Sequence, residues 1–170
     1  MKKLNTKELV KLLKGKTVKE VVKEVCGEMI GRGAHRDVYV LKSNSDYVVK
    51  IERDMRQANF ANATEWRHYI DNQYWKWLEV WLAPCMLISE TSQVLIQQRV
   101  SWEGKRRKDY PARIPNLFED LKLKNFGWIG DRFVCCDYSF LSIPSPTKGS
   151  DGMKRAYWWG SLKPKKNVKK

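Results

Sequence analysis

Histidine and cysteine are scarce in this chain: two and four, respectively, among 170 residues. No two cysteines form a Cys-x-x-Cys pair, which excludes the usual zinc-ligand spacing, and four scattered thiols make no disulfide framework. Cys135 and Cys136 are adjacent inside an apolar run and read as buried strand residues, whereas Cys26 and Cys85 stand alone. No apolar run approaches the roughly 18 residues that span a bilayer. The basic start, Met1-Lys2-Lys3-Leu4-Asn5, is followed by no apolar stretch and no small-residue cleavage site. These absences lead us to expect a cytoplasmic protein with no membrane partner. Acidic residues are also few, 19 against 33 Lys and Arg, for a formal charge of +14. That balance favours polyanions: nucleotide phosphates, nucleic acid or an acidic protein. A plainer alternative is solubility, because much of the excess lies near the ends and in one loop. With 42% hydrophobic residues and eight Trp, the chain has the means to fold.

Two short amphipathic helices are expected first. Asn5 with Glu8, and Thr17 with Glu20, have capping-box spacing, and Leu4 with Leu9 fits a hydrophobic staple. Gly15 stops the first helix and Gly27 the second. Glu28–Ile30, Val38–Leu41 and Tyr47–Ile51 read as strands, with a turn at Ser43–Asp46. A long helix is expected from about Gln57 to Leu82, its Trp stripe read as core rather than as a base-stacking platform. Met86–Ile88 and Val94–Ile96 read as a hairpin, as do Trp128–Ile129 and Phe133–Cys136 around Gly130-Asp131. Between them lies a loop, Ser101–Pro115, with a basic run at Lys105–Lys108. The run reads either as a grip on phosphate or nucleic acid or as a solvated charge cluster. Leu117–Leu123 reads as a short helical turn. Ile143–Gly152 reads as a loop with Trp158-Trp159 as anchor, and Lys163–Lys170, with five Lys, as a disordered tail.

The chemistry is suggested by five pieces in order. Gly31-Arg32-Gly33 lies between two expected strands, and glycine lets backbone amides approach phosphates closely. Lys50, in Val-Val-Lys-Ile on the next strand but one, can reach phosphates held there. Glu65 follows on the helix, with an ordinary exposed carboxylate as its plainer alternative. Asp120 stands five residues before Asn125, and Asp137 ends a hairpin. Capping and a strand-end turn are the alternatives for Asp120 and Asp137. His35 is a surface histidine or a loop-lining one.

This order resembles the protein kinases. Ile30–Tyr39, IGRGAHRDVY, looks like their glycine-rich loop, and the Gly-Ala-His-Arg stretch resembles small bacterial and phage kinase-like proteins of the PhoP-regulatory YrbL type. The resemblance implies that Gly31 and Gly33 cradle phosphates, that Lys50 paired with Glu65 neutralises them, and that Gln98 begins the hinge against the base. It further implies that Asp120 positions the acceptor hydroxyl and that Asn125 and Asp137 hold Mg²⁺. There are departures. Phe118-Glu119 stands in place of His-Arg, Tyr138-Ser139 in place of Phe-Gly, and Arg36 near the third glycine. About twenty residues separate the hinge from Asp120, and no Ala-Pro-Glu follows.

The expected fold is therefore α+β and protein-kinase-like, an antiparallel sheet with one long helix and a minimal second lobe. The expected units are 1–27 (helical extension), 28–100 (first lobe), 101–160 (reduced second lobe) and 161–170 (tail). Two functions stay open: an ATP- and Mg²⁺-dependent phosphotransferase acting on a protein or small-molecule hydroxyl, and a pseudokinase-like regulator, for instance phage-encoded, that binds a protein partner without phosphotransfer. A nucleic-acid-associated protein is the third, although the basic residues lack an aromatic-interleaved motif.

Overall fold

Each of the first two helices begins on a closed capping box. Asn5 accepts from the Glu8 amide while Glu8 accepts from the Asn5 amide, both at 2.9 Å. Thr17 and Glu20 repeat the arrangement. In the computed structural model, which describes residues 5–53, 60–71, 76–141 and 152–160, these caps start α1 (Thr6–Leu13) and α2 (Val18–Glu24). Gly15 takes a φ of 69° at the break between them. Leu4 of the expected staple lies outside the described residues, as does the segment 161–170.

Gly27 does not end a helix. β1 already begins beside it (Cys26–Arg32) and runs antiparallel to β2 (Arg36–Leu41). β3 (Tyr47–Glu52), β4 (Cys85–Ile88) and β5 (Val94–Gln98) complete a five-stranded antiparallel sheet in the order β1-β2-β3-β5-β4. The central strand β3 is buried throughout, and its alternation sorts two environments. Tyr47, Val49 and Ile51 pack with Val94 and Ile96 of β5 against Leu9, Leu13, Val21 and Val25, so α1 and α2 cover that face. Val48, Lys50 and Glu52 are left on the other face. Register carries this across strands: Arg36 pairs with Glu52, Val38 with Lys50 and Val48 with Gln97. Arg36, Lys50, Glu52 and Gln97 thus point to one side.

The expected long helix is shorter. α3 spans Ala61–Asp71 and α4 spans Lys76–Glu79. Residues 54–59 and 72–75, which include Gln57 and Tyr74 of the expected helix, lie outside the described residues. The chain leaves helical geometry by Val80, because Leu82 bridges to Cys135 and the Cys135 amide bonds the Trp81 carbonyl. Tertiary pairing there takes over what the Trp periodicity alone would extend as helix.

The remaining chain forms two small ribbons. β7 (Phe126–Ile129) and β8 (Arg132–Cys135) make the expected hairpin, with Gly130 at φ 60° in its two-residue loop. β6 (Arg113–Pro115) pairs with β9 (Met153–Arg155), a pairing not anticipated from sequence. The expected helical turn at Leu117–Leu123 is instead a single 3₁₀ turn at Leu123–Asn125. Leu78, Leu82, Ile114, Leu121, Phe126, Trp128 and Tyr138 form the second core cluster, with Trp66, Trp77 and Trp81 packed against it. Trp158 is buried in that cluster, 5.0 Å from the Phe126 ring, while Trp159 remains half exposed. No described helix is long and apolar enough to cross a membrane.

Candidate functional site

β3 delivers Lys50 and α3 delivers Glu65 to one buried point. Glu65 is fully buried, and within α3 it lies on the same face as Ala61 and Asn62, the other buried residues of that helix. The Lys50 ammonium donates to Glu65 Oε1 and to the Cys136 carbonyl. Gln97 Nε2 donates to the same Oε1 at 2.8 Å. Glu65 Oε2 accepts from Arg36 Nη1 at 2.7 Å, and Arg36 Nη2 donates to Asp137 Oδ1 at 2.5 Å. One carboxylate thus serves two buried cations, and the second of these cations reaches Asp137.

Arg36 is the residue that sequence reasoning missed. In the sequence it stands only as a departure near the third glycine, yet it is buried and joins β2, α3 and the segment after β8. Its side chain also donates to Asn62 Oδ1 at 3.2 Å. Burial pulls the Arg36 pKa down, but Glu65 and Asp137 more than offset this, so the net direction is upward. Asn62 links the set to the sheet through the Lys50 and Gln93 carbonyls. Its amide donates to Glu52 Oε1 at 2.7 Å, placing a carboxylate at the N-terminus of α3, where the helix dipole favours one. The available signal was the pairing of Arg36 with a buried β3 position, which becomes visible only once the register is known.

Below the β1–β2 turn lies a cavity of about 380 Å³. Gly31, Gly33 and Val38 line it from the turn, Val48 and Lys50 from β3, and Gln98 to Val100 with Trp102 from the next segment. Asn125, Cys136, Asp137 and Ser139 line the opposite side. The β1–β2 turn is held by the Gly33 amide on the Arg36 carbonyl at 2.8 Å and by Arg53 on the Gly33 and Ala34 carbonyls at 2.5 Å each. A Cβ at Gly31 or Gly33 would meet nothing in the protein closer than 3.5 Å. The fold itself therefore does not demand glycine at either position. The Gln98 amide is bonded to the Pro84 carbonyl at 2.8 Å, so only the rest of that residue faces the cavity. His35 also lines it and is exposed.

Asp120 stands apart. It is exposed and does not line the cavity, but Asn125 Nδ2 donates to its Oδ2 at 2.8 Å. That bond leaves the Asn125 amide oxygen as the acceptor end. The Cys136 amide bonds the Asn125 carbonyl at 2.7 Å, which sets Asn125 beside Asp137. An amide oxygen and a carboxylate are the hard donors that Mg²⁺ takes, so the donor chemistry suits that ion. The charge does not, because Asp137 Oδ1 is already bonded to a guanidinium. No cluster of three or more His, Cys, Asp or Glu suited to a metal occurs among the described residues. Two buried polar atoms in the cavity wall, Gln97 Oε1 and Ser139 Oγ, have no hydrogen-bond partner among the described residues.

Several other expectations can be placed. Tyr138, standing in place of Phe, is buried and donates to the Ala83 carbonyl at 2.8 Å. His68 Nδ1 lies 3.0 Å from the Tyr138 carbonyl. In the basic loop, Arg107 donates to the Trp158 carbonyl and Lys105 sits 5.2 Å from the Trp128 ring centroid. At the surface, Lys122 lies 4.5 Å over Trp159, and Arg155 lies 5.5 Å from exposed Tyr157. All four cysteines are free.

No family model matches this sequence, and no curated protein matches it. Among solved structures the chain is similar to one in the streptomycin–ATP–APH(2″)-IIa ternary complex, at 16% identity and a TM-score of 0.31. The match covers 65% of this chain and 34% of that one, so the chain spans about a third of that protein's length. So distant a likeness adds nothing to the geometry above.

Proposed function

We propose that this chain is a protein-kinase-like nucleotide-binding protein that transfers a phosphoryl group from ATP to a hydroxyl. The observation that carries the reading is the Lys50–Glu65–Arg36–Asp137 network at the floor of a cavity roofed by Gly31 and Gly33. Lys50 and Arg36 supply positive charge where phosphates would lie, and Glu65 holds both in place. Val38, Val48, Val100 and Trp102 offer apolar wall for a base. Gly31 and Gly33 keep the roof free of side chains. In the transfer step the acceptor oxygen attacks the γ-phosphorus, the bond from that phosphorus to the β,γ-bridging oxygen breaks, and ADP leaves. Asp120, exposed beside Asn125 and outside the cavity lining, would take the proton of an acceptor hydroxyl that enters from that side. Asn125 and Asp137 are the positions at which the kinase resemblance would place Mg²⁺, but the Arg36 guanidinium on Asp137 Oδ1 does not suit that ion. In this reading, 28–100 and 101–160 form the two sides of the cleft, and 1–27 backs the sheet.

The test is calorimetric titration with ATP, followed by transfer of labelled γ-phosphate. Lys50→Ala should weaken binding at least tenfold, the range expected for a phosphate-facing charge. Absence of nucleotide binding by the wild type would end this reading.

One observation favours the pseudokinase-like alternative. Between Ser101 and Asp120 the chain makes only a 3₁₀ turn and one three-residue strand, which is little platform for a protein substrate. Nucleotide binding without label transfer would select it. The surface pairs Lys122–Trp159 and Arg155–Tyr157 favour a nucleic-acid partner as the third reading, tested by the salt dependence of oligonucleotide binding.

A further inference from the structure

Five cations line the cavity: Arg36 and Lys50, which are buried, and Arg32, Arg99 and Lys124, which are exposed. A single carboxylate, Asp137, faces them. Further carboxylates stand behind this lining. Asp37 pairs with Arg32 at 3.0 Å, Glu65 with Arg36 and Lys50, and Glu52 lies close enough to act on Arg36. With these counted, five cations stand against four carboxylates, and the margin comes from the exposed Arg32, Arg99 and Lys124. Those exposed cations attract polyanions to the cavity.

Asp137 sharpens the point. It is the one carboxylate in the wall that could anchor a metal, and its Oδ1 is held by Arg36 Nη2 at 2.5 Å. Arg36 is fixed in turn by Glu65 at 2.7 Å and Asn62 at 3.2 Å. A guanidinium pinned on three partners does not leave readily, because Arg36 and two of those partners, Glu65 and Asn62, are buried. A divalent ion bound through Asp137 would sit beside this permanent positive charge.

From this we infer that the site takes its nucleoside triphosphate as the free polyanion, with Arg36 standing at Asp137 in place of a divalent cation. The inference rests on the nucleotide-binding reading and specifies the form of the ligand. Arg36 and Lys50 together offset charge on the terminal phosphates, and Arg36 does so from the strand that follows the glycine turn. Asp137 then serves to position Arg36, and its own negative charge works against the phosphates.

The experiment is titration of the full chain with ATP by calorimetry, once in excess EDTA and once in excess Mg²⁺, on wild type, Asp137→Asn and Arg36→Gln. Thermal melts establish that each variant is folded. The wild type is expected to bind ATP in EDTA at least as tightly as in Mg²⁺. Asp137→Asn, at a half-exposed position, is expected to bind ATP in EDTA about five- to tenfold more tightly, the effect of removing one unit charge near the phosphates. Arg36→Gln is expected to lose affinity in EDTA. If Arg36→Gln does not fold, the Asp137→Asn comparison decides alone. Binding seen only with Mg²⁺ and lost in Asp137→Asn overturns the inference and leaves the nucleotide reading standing. No binding in either buffer overturns both.

Discussion

Glu65 is the residue on which the candidate site turns. Its two oxygens accept from Lys50, Gln97 and Arg36, and it has no exposed surface. Glu65→Gln keeps the shape but leaves two buried cations short of a counter-charge. Breaking a buried ion pair from one side costs about 3–5 kcal/mol, so a fall in stability of that order is expected in urea unfolding. Adding Arg36→Gln to the same chain removes one orphaned cation. The double variant should therefore lose less than the sum of the single changes, as residues in one network do. Additive losses would show that the network is not energetically coupled.

The hairpin β7–β8 is the element that sets Asn125 and Asp137 at its two ends. It is attached to the rest of the molecule through the Ser101–Trp128 bridge and through Ala83 and Trp81 on Cys135. Gly127 sits inside it, buried, and a Cβ there would lie 2.8 Å from the Val100 side chain and 3.2 Å from the Ser101 carbonyl. Backbone stands on one side of that contact, so the strand itself must shift. Gly127→Ala should cost about 1–3 kcal/mol, the usual range for overpacking, read as a lower melting temperature. Because Val100 lines the cavity, ligand affinity should fall with it. Gly130 at φ 60° and Gly15 at φ 69° are glycines required by turns, while Gly31 and Gly33 are not required by the fold. This contrast fits the proposed approach of a ligand at the latter two.

Across the whole molecule, burial of titratable groups sets the response to pH. Burial pushes the Cys26 thiol up to about 11 and the Cys85 thiol up to about 12, and raises Cys135 and Tyr138 well above their ordinary values. Raised folded-state values mean that the native state holds its protons more tightly than the unfolded chain. The associated stability is complete below about pH 8.5, the ordinary thiol range, and is lost as pH rises through the folded values. The melting temperature should therefore decline steadily from pH 9 to 11, and thiol reagents at pH 8 should label Cys26, Cys85 and Cys135 slowly in the native protein and all four cysteines in the unfolded one. Rapid labelling of Cys85 or Cys135 in the native state would contradict the packing.

Much of the local structure was determined by the sequence alone. The two capping boxes, the alternation of β3 and the Gly130-Asp131 turn act over a few residues, so their energetics are present in any local window. Lys50, Asn125 and Asp137 could be marked for the same reason: each lies in a short stretch whose residue types are themselves the signal. Tertiary structure decided the rest. Arg36 and Asp137 are 101 residues apart, and Arg36 and Glu65 are 29 apart. Whether such groups meet depends on strand register and on how the hairpin docks, not on propensity. The β6–β9 pairing depends on loop closure in the same way. So does the end of the Trp-rich helix near Val80, where a bridge to Cys135 outweighs helical periodicity. Burial likewise separates Glu65, a shared counter-ion, from Asp120, an exposed carboxylate tied to the site only through Asn125. The sequence marked groups that could handle phosphate; only the folded arrangement placed a guanidinium on the carboxylate that a metal ion would need.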